Sequence, residues 1–119
     1  MRVAFLGSGA FGLPTLEAIA ARHQVPLIIS QPDRPAGRGR HQTPTAISAR
    51  VLEARADGED SLAATTLHRT DSVNDAETLG IVEAARPDAI VVIAFGQKIG
   101  RSLLDRWFTV NLHASLLPR

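Results

Sequence analysis

Short apolar runs alternate along this chain with segments of helical periodicity, and this alternation limits the possible folds more than any other feature. Residues 2–6 (RVAFL), 24–30 (QVPLIIS) and 88–95 (DAIVVIAF) predict buried strands, the last because it is continuously apolar. Pro26 in the second run must lie where the sheet needs no backbone donor. Residues 13–22 predict a helix with one apolar face. The order strand, helix, strand, helix predicts one domain with an open parallel α/β sheet, right-handed crossovers and helices on both faces.

Further elements continue this order. The segments TTLHR (65–69) and FTVNLH (108–113) are interpreted as the third and the last strand. A sheet of this kind has the spatial strand order three, two, one, four, five, which puts residues 108–113 at an edge.

Helix starts are predicted from capping residues. Thr43 is a candidate N-cap with Pro44 as the first helical residue. Asn74 and Glu77 have the spacing of a capping box for the helix that follows.

Composition excludes several classes of protein. A formal net charge of +1 predicts no general attraction to nucleic acid or membranes, so a polyanion must be bound by a local basic patch. Cysteine is absent, which excludes disulfides and thiolate metal sites. No apolar run approaches the ~20 residues that span a bilayer, and residues 1–12 predict a strand rather than a signal peptide. We expect a cytoplasmic protein without a metal and without membrane contacts.

The turn GSGAFG, residues 7–12, is one candidate site. It matches the G-x-G-x-x-G pattern of dinucleotide-binding proteins between a first strand and a helix. That pattern also requires an acid at the end of the second strand, and Asp33 follows that end two residues late. The alternative is that these glycines only permit a tight turn and close packing of the helix on the sheet. An NAD(P)-binding module therefore remains an alternative.

The segment VNLHASLLPR, residues 110–119, is the second candidate site. Asn111 and His113 are two residues apart on a predicted strand, so their side chains project on the same side. They lie near the carboxyl end of a parallel strand, where open α/β sheets bind their ligands.

The basic loop, QPDRPAGRGR over residues 31–40, is the third candidate. Its prolines fix the exit of the chain from the sheet, and its glycines leave the tip free to adapt. Arg34, Arg38 and Arg40 present planar groups of donors suited to phosphates and stacked bases. The alternative is a solvated loop.

The motifs NLHASLLPR, QPDRPAGRGR and AIVVIAFGQKI resemble the formyltransferase superfamily, whose members carry Asn-x-His-x-Ser-Leu-Leu-Pro. The basic loop is similar to the loop of the branch that formylates methionyl-tRNA. The first turn departs from the family, which commonly has Gly-Thr-Pro where this chain has Gly7, Ser8 and Gly9.

The resemblance implies a Rossmann-like sheet of the formyltransferase type that binds 10-formyltetrahydrofolate as formyl donor and initiator methionyl-tRNA as acceptor. Asn111 and His113 would be catalytic, and the basic loop with Arg34, Arg38 and Arg40 would contact the tRNA. The residues implied for folate binding are Ser115, Leu116, Leu117 and Pro118. A superfamily member that formylates another amine, on a nucleotide or an amino sugar, is an alternative.

The resemblance also implies an Asp that pairs with the histidine and lies beyond Arg119. Residues 1–119 are therefore expected to be an N-terminal donor-binding domain that is truncated before this Asp and before a C-terminal domain. We expect such a chain to be inactive and to self-associate through residues 108–113, because an uncovered sheet edge pairs with copies of itself.

Overall fold

The computed structural model describes residues 1–36, 39, 41–58 and 60–113. The helices are α1 (Leu13–Arg22), α2 (Ala46–Asp57), α3 (Ala76–Ala85) and α4 (Arg101–Leu104). The strands are β1 (Arg2–Gly7), β2 (Gln24–Ser30), β3 (Arg34–Ala36), β4 (His41–Thr43), β5 (Thr66–Arg69), β6 (Ala89–Ile93) and β7 (Thr109–Leu112). Short 3₁₀ turns lie at Ala10–Gly12 and Ser61–Ala64.

The main sheet has five strands in the order β5-β2-β1-β6-β7. All of its neighbouring strands run parallel. Without β3 and β4, this is the predicted order three, two, one, four, five, and the predicted fold class is confirmed. Strand β7 lies at an edge, as expected.

Each face of the sheet carries its own buried core. Phe5 of β1 packs with residues of α1 and α2, including Leu16 and Val51, on one face. Its neighbour Leu6 packs on the other face with α3, α4 and the loops beside them, in contact with a cluster that includes Leu103. Each such fully buried side chain contributes roughly 1.5–3 kcal/mol through removal of apolar surface from water. The sheet thus lies between two layers of helices. The carboxyl ends of its strands are left open for a site.

Strand β2 contains an irregularity that accommodates its proline. Arg2 of β1 pairs with Gln24, and Ala4 pairs with Leu27, so β2 has one more residue than β1 over this span. Pro26 lies in this bulge, where the ladder is interrupted and a missing N–H is tolerated. The expectation for Pro26 is confirmed.

The structure adds one element that was not predicted and corrects two predictions. Strand β3, within the basic loop, pairs antiparallel with β4. Thr43 is in β4 and does not cap α2. The N-cap is Thr45, whose side chain accepts a hydrogen bond from Ser48 N at 3.0 Å. Asp75 rather than Asn74 caps α3, through a bond from Thr78 N at 2.8 Å.

Within the described residues, none of the helices has the length and apolar character needed to cross a bilayer.

Candidate active site

Asn111 and His113 lie at the carboxyl end of β7, beside an open pocket of about 400 Å³. Asn111 pairs in register with Val92 of β6, and both side chains line the pocket together with His113. The opposite wall is formed by residues 94–98, which follow β6. Asn111 and His113 are both exposed, so a molecule in the pocket can reach an amide and an imidazole at once.

The wall loop, residues 94–98, bends sharply where it leaves the sheet. Ala94 and Gly96 both have left-handed backbones, with φ of 49° and 86°. A side chain at position 96 would also place a Cβ atom 3.0 Å from Gln31 Nε2. Gly96 is therefore required both by the backbone conformation and by the close approach of Gln31.

Two amide side chains fix the wall loop to the segment before α3. Gln97 accepts a hydrogen bond from Val73 N at 2.9 Å and donates from Nε2 to Thr70 O at 2.7 Å. Asn74 donates to Lys98 O at 2.9 Å and accepts from Gly100 N at 2.7 Å. Each amide uses its donor and its acceptor, so four hydrogen bonds hold this side of the loop.

The turn after β1 is bonded to the same loop. The backbone N–H groups of Ser8 and Gly9 both donate to Ala94 O at 3.0 Å. In a dinucleotide-binding protein the donors of this turn would face the pyrophosphate, but here they are occupied by protein. The glycines on either side serve packing, since a Cβ at Gly7 would lie 2.7 Å from Phe5 Cε1 and one at Gly12 would lie 3.1 Å from Ile93 Cγ2.

Asp33, the acid considered for a dinucleotide ribose, is also engaged. Arg69 Nη1 donates to both of its carboxylate oxygens, at 3.1 and 3.2 Å. The structure therefore favours the packing interpretation of the turn over the dinucleotide alternative.

The profile of the formyl transferase family matches residues 1–119 of the chain. The chain belongs to the formyl transferase family. The methionyl-tRNA formyltransferase of Moorella thermoacetica is 38% identical over 122 residues, covering 100% of this chain and 36% of that protein. Those of Ruegeria pomeroyi and Xanthomonas campestris pv. campestris are each 39% identical over the whole chain, covering 38% and 36% of their lengths. The chain thus spans a little over a third of these relatives.

The turn after β1 shows how this formyl transferase sequence accommodates Ser8 and Gly9 where its family commonly has threonine and proline. Serine keeps the hydroxyl of threonine, and Ser8 Oγ donates to Phe95 O at 3.2 Å and accepts from Gln31 N at 3.0 Å. Gly9 has a φ of −77°, which lies within the range of proline. A threonine hydroxyl at position 8 and a proline at position 9 would therefore be compatible with the turn seen here.

The basic loop is only partly described. Arg34 lies on β3, is exposed, and makes no ion pair within the described residues. Arg38 and Arg40 lie outside the described residues, as do Ser115, Leu116, Leu117 and Pro118. Their predicted roles in RNA and folate binding remain predictions.

Three acids of the described part of the formyl transferase chain have partners other than His113. Asp88 accepts a hydrogen bond from Arg2 N at 2.8 Å at the amino end of the sheet, and Asp105 pairs with Arg101 at 3.1 Å. The Thr78 backbone N–H lowers the pKa of Asp75, whose carboxylate is used as a helix cap. The described residues contain no group of three or more His, Cys, Asp or Glu side chains that could hold a metal ion.

Sequence reasoning missed the amides that position the site. Gln31, Asn74 and Gln97 were not predicted as functional, because their partners are mostly backbone atoms far away in sequence. The local signal was weak: Gln31 directly follows the apolar strand β2, and Gln97 lies in the loop that follows β6.

Proposed function

We propose that the protein transfers the formyl group of 10-formyltetrahydrofolate to the amino group of initiator methionyl-tRNA, the reaction that prepares this tRNA for translation initiation. The observation that carries the proposal is the pair Asn111 and His113 on one pocket of a formyl transferase domain. The names of the similar proteins support methionyl-tRNA as the acceptor. Such a reaction would take place in the cytoplasm.

The two side chains match the charges that develop in this reaction. The amino nitrogen attacks the formyl carbon, and the carbonyl oxygen becomes an oxyanion, to which the Asn111 amide donates a hydrogen bond. His113 accepts the proton that the attacking nitrogen loses. It then returns a proton to N10 of the folate as the carbon–nitrogen bond breaks. The formyl group ends on the methionyl nitrogen, and tetrahydrofolate leaves.

Residues 1–119 would form the domain that binds the formyl donor. In this proposal Ser115, Leu116, Leu117 and Pro118 contact the folate, beside the fixed wall loop. His113 would be oriented by an Asp from the part of the relatives' length that this chain does not match.

Binding measurements distinguish the proposal from its alternatives. In isothermal titration calorimetry, a stable 10-formyl folate analogue should bind, and NADH should not. Binding of NADH with comparable affinity would contradict the proposal and support a dinucleotide module. Assays of the full-length protein with methionyl-tRNA, an amino sugar nucleotide and glycinamide ribonucleotide as acceptors would then identify the amine, and formylation of methionyl-tRNA alone is expected.

The basic loop is proposed to contact the acceptor end of the tRNA. It leaves the carboxyl end of β2, and Asn111 and His113 lie at the carboxyl end of β7 in the same parallel sheet. The loop and the pocket therefore lie at the same end of the sheet, where its parallel strands have their carboxyl ends. An RNA held by the loop can thus reach the formyl donor.

Replacing Arg34, Arg38 and Arg40 with alanine should weaken tRNA binding and flatten its dependence on salt. The slope of log affinity against log salt should fall by up to about one unit for each phosphate that the variant no longer binds. Filter binding over a series of salt concentrations measures it, and donor affinity should not change. Arg22→Ala, at the end of α1, is the matched control and should keep the slope. An unchanged slope in the triple variant would support a solvated loop.

Self-association of the 119-residue chain through residues 108–113 is a further proposal. Strand β7 is an edge of the sheet, Phe108 is 71% exposed and Leu112 is 39% exposed. Sedimentation velocity should show dimers or larger species as concentration rises, and Phe108→Lys should return the chain to monomer by adding a charge at the edge. A wild-type chain that stays monomeric at high concentration would contradict this.

A further inference from the structure

We propose that Gln31 is a positioning residue that links the basic loop to the pocket, so that RNA on the loop strengthens binding of the formyl donor. This inference rests on the function proposed above. Its basis is the position of Gln31, which directly follows the last residue of β2 and is the first residue of the basic loop.

Gln31 is bonded to the pocket wall through its side chain and its backbone. Its Nε2 donates to Phe95 O at 3.2 Å. Its backbone N–H donates to Ser8 Oγ at 3.0 Å, and that hydroxyl donates to the same Phe95 O at 3.2 Å. Phe95 and Gly96 both line the pocket that contains Asn111 and His113. A displacement of Gln31 therefore acts directly on the peptide group between Phe95 and Gly96.

The Gln31 amide packs closely against the wall loop. Gly96 has a φ of 86°, and a Cβ there would lie 3.0 Å from Gln31 Nε2, so little space separates the two residues. Gln97 holds the other side of the wall loop through Thr70 O and Val73 N. Because the wall is fixed by Gln97 on one side, its position on the other side depends on Gln31 and Ser8.

The basic loop is tied at its root in the same region. Asp33, two residues after Gln31, pairs with Arg69 of β5 at 3.1 Å. The chain between the sheet and the β3–β4 hairpin is thus anchored at Gln31 and at Asp33. An RNA bound to the hairpin therefore acts on Gln31 through this short segment, and by linkage a donor in the pocket then favours RNA binding by the same factor.

The test compares donor affinity with and without RNA, in the full-length protein as its gene encodes it. The probes are a stable 10-formyl folate analogue and uncharged initiator tRNA, which cannot react. One net hydrogen bond corresponds to a factor of about 2–10 in affinity, so saturating tRNA should tighten analogue binding by that factor in the wild type. In Gln31→Met, which keeps the length but lacks the donor, the ratio of the two affinities should fall to about one, as no coupling is left.

Ser8→Ala provides a second variant, because it removes the hydroxyl that joins Gln31 N to Phe95 O, and it should also lower the ratio. Gln24→Ala is the matched control, since Gln24 is an exposed amide at the amino end of β2, at the opposite end of that strand from Gln31, and should keep the wild-type ratio. A purely structural role would lower the melting temperature or both affinities and leave their ratio unchanged. A wild-type ratio of one, or an unchanged ratio in Gln31→Met, would overturn the inference. Failure of the wild type to bind the analogue would instead overturn the proposed function.

Discussion

Replacing Asn111 or His113 with alanine in the full-length protein should lower formyl transfer by orders of magnitude while folate binding changes little. Loss of one oxyanion donor costs about 10²–10³-fold in turnover, which is the effect expected for Asn111→Ala. Loss of a general acid–base group costs about 10²–10⁴-fold, which is the effect expected for His113→Ala. Both side chains act mainly on charge that appears in the transition state, so the loss should be in kcat rather than in donor affinity.

Single-turnover formylation of methionyl-tRNA and calorimetry with a folate analogue measure the two quantities separately. Thr109→Ala is a matched control on the same strand, because its hydroxyl bonds Trp107 O and does not line the pocket. Near-normal turnover of either alanine variant would show that its assigned role is wrong. A large loss of analogue affinity would indicate that the side chain binds the donor in its ground state.

Gly7→Ala should destabilise the protein, and Gly9→Ala should not, although both change the same turn. A Cβ at Gly7 would lie 2.7 Å from Phe5 Cε1 and 2.9 Å from Ile93 O, and neither the fully buried ring nor the strand backbone can yield. Overpacking of this kind costs about 1–3 kcal/mol. A Cβ at Gly9 would meet Ala94 Cβ at 3.5 Å and Ala94 O at 3.8 Å, which are ordinary contacts.

Urea denaturation followed by circular dichroism measures both free energies of unfolding. The change for Gly9→Ala should stay within about 0.5 kcal/mol, as for substitutions away from special features. Equal losses in the two variants would mean that the turn requires glycine at both positions, as the dinucleotide fingerprint does. The pair therefore tests the packing interpretation by stability alone, without any ligand.

The main sheet was predictable because its strands are buried, and burial determines which residue types their sequences contain. Strand β6 is apolar along its length and lies between two cores, so its sequence pattern reflects its position directly. The β3–β4 hairpin was missed because its strands are short and largely exposed, and Pro35 is a weak strand residue. An exposed hairpin buries neither face, so its sequence does not show the alternation of apolar and polar residues that predicts a strand.

The helix caps were mispredicted by one or two residues because neighbouring side chains could each serve. Thr43 and Thr45 are both N-cap residues by type, but Thr45 Oγ1 also lies 2.6 Å from the buried Ser30 hydroxyl. Asn74 is a cap by type, but its amide is engaged by Lys98 and Gly100. Tertiary contacts decide between the candidates, and the local sequence does not contain them.

The candidate site was predictable where it depends on strand geometry and not where it depends on distant contacts. Asn111 and His113 follow from a period of two on a strand at the ligand-binding edge. The role of Gln31 depends on a bond to Phe95, which is 64 residues away in the chain. No spacing rule connects such positions, so the fixed wall of the pocket became visible only in the folded protein.

The edge position of β7 makes its amide protons a direct measure of pocket occupancy. Within the described sheet this strand is paired on one side only, with β6, whereas β1 is paired on both sides. Local opening of an edge strand requires less free energy than opening of a central one, so amide hydrogens of β7 should exchange with solvent faster than those of β1. A ligand that bridges Asn111 and the wall loop adds its binding free energy to the free energy that opening of β7 requires. The strand that carries the amide and the imidazole would then become slow to exchange only when the pocket is filled.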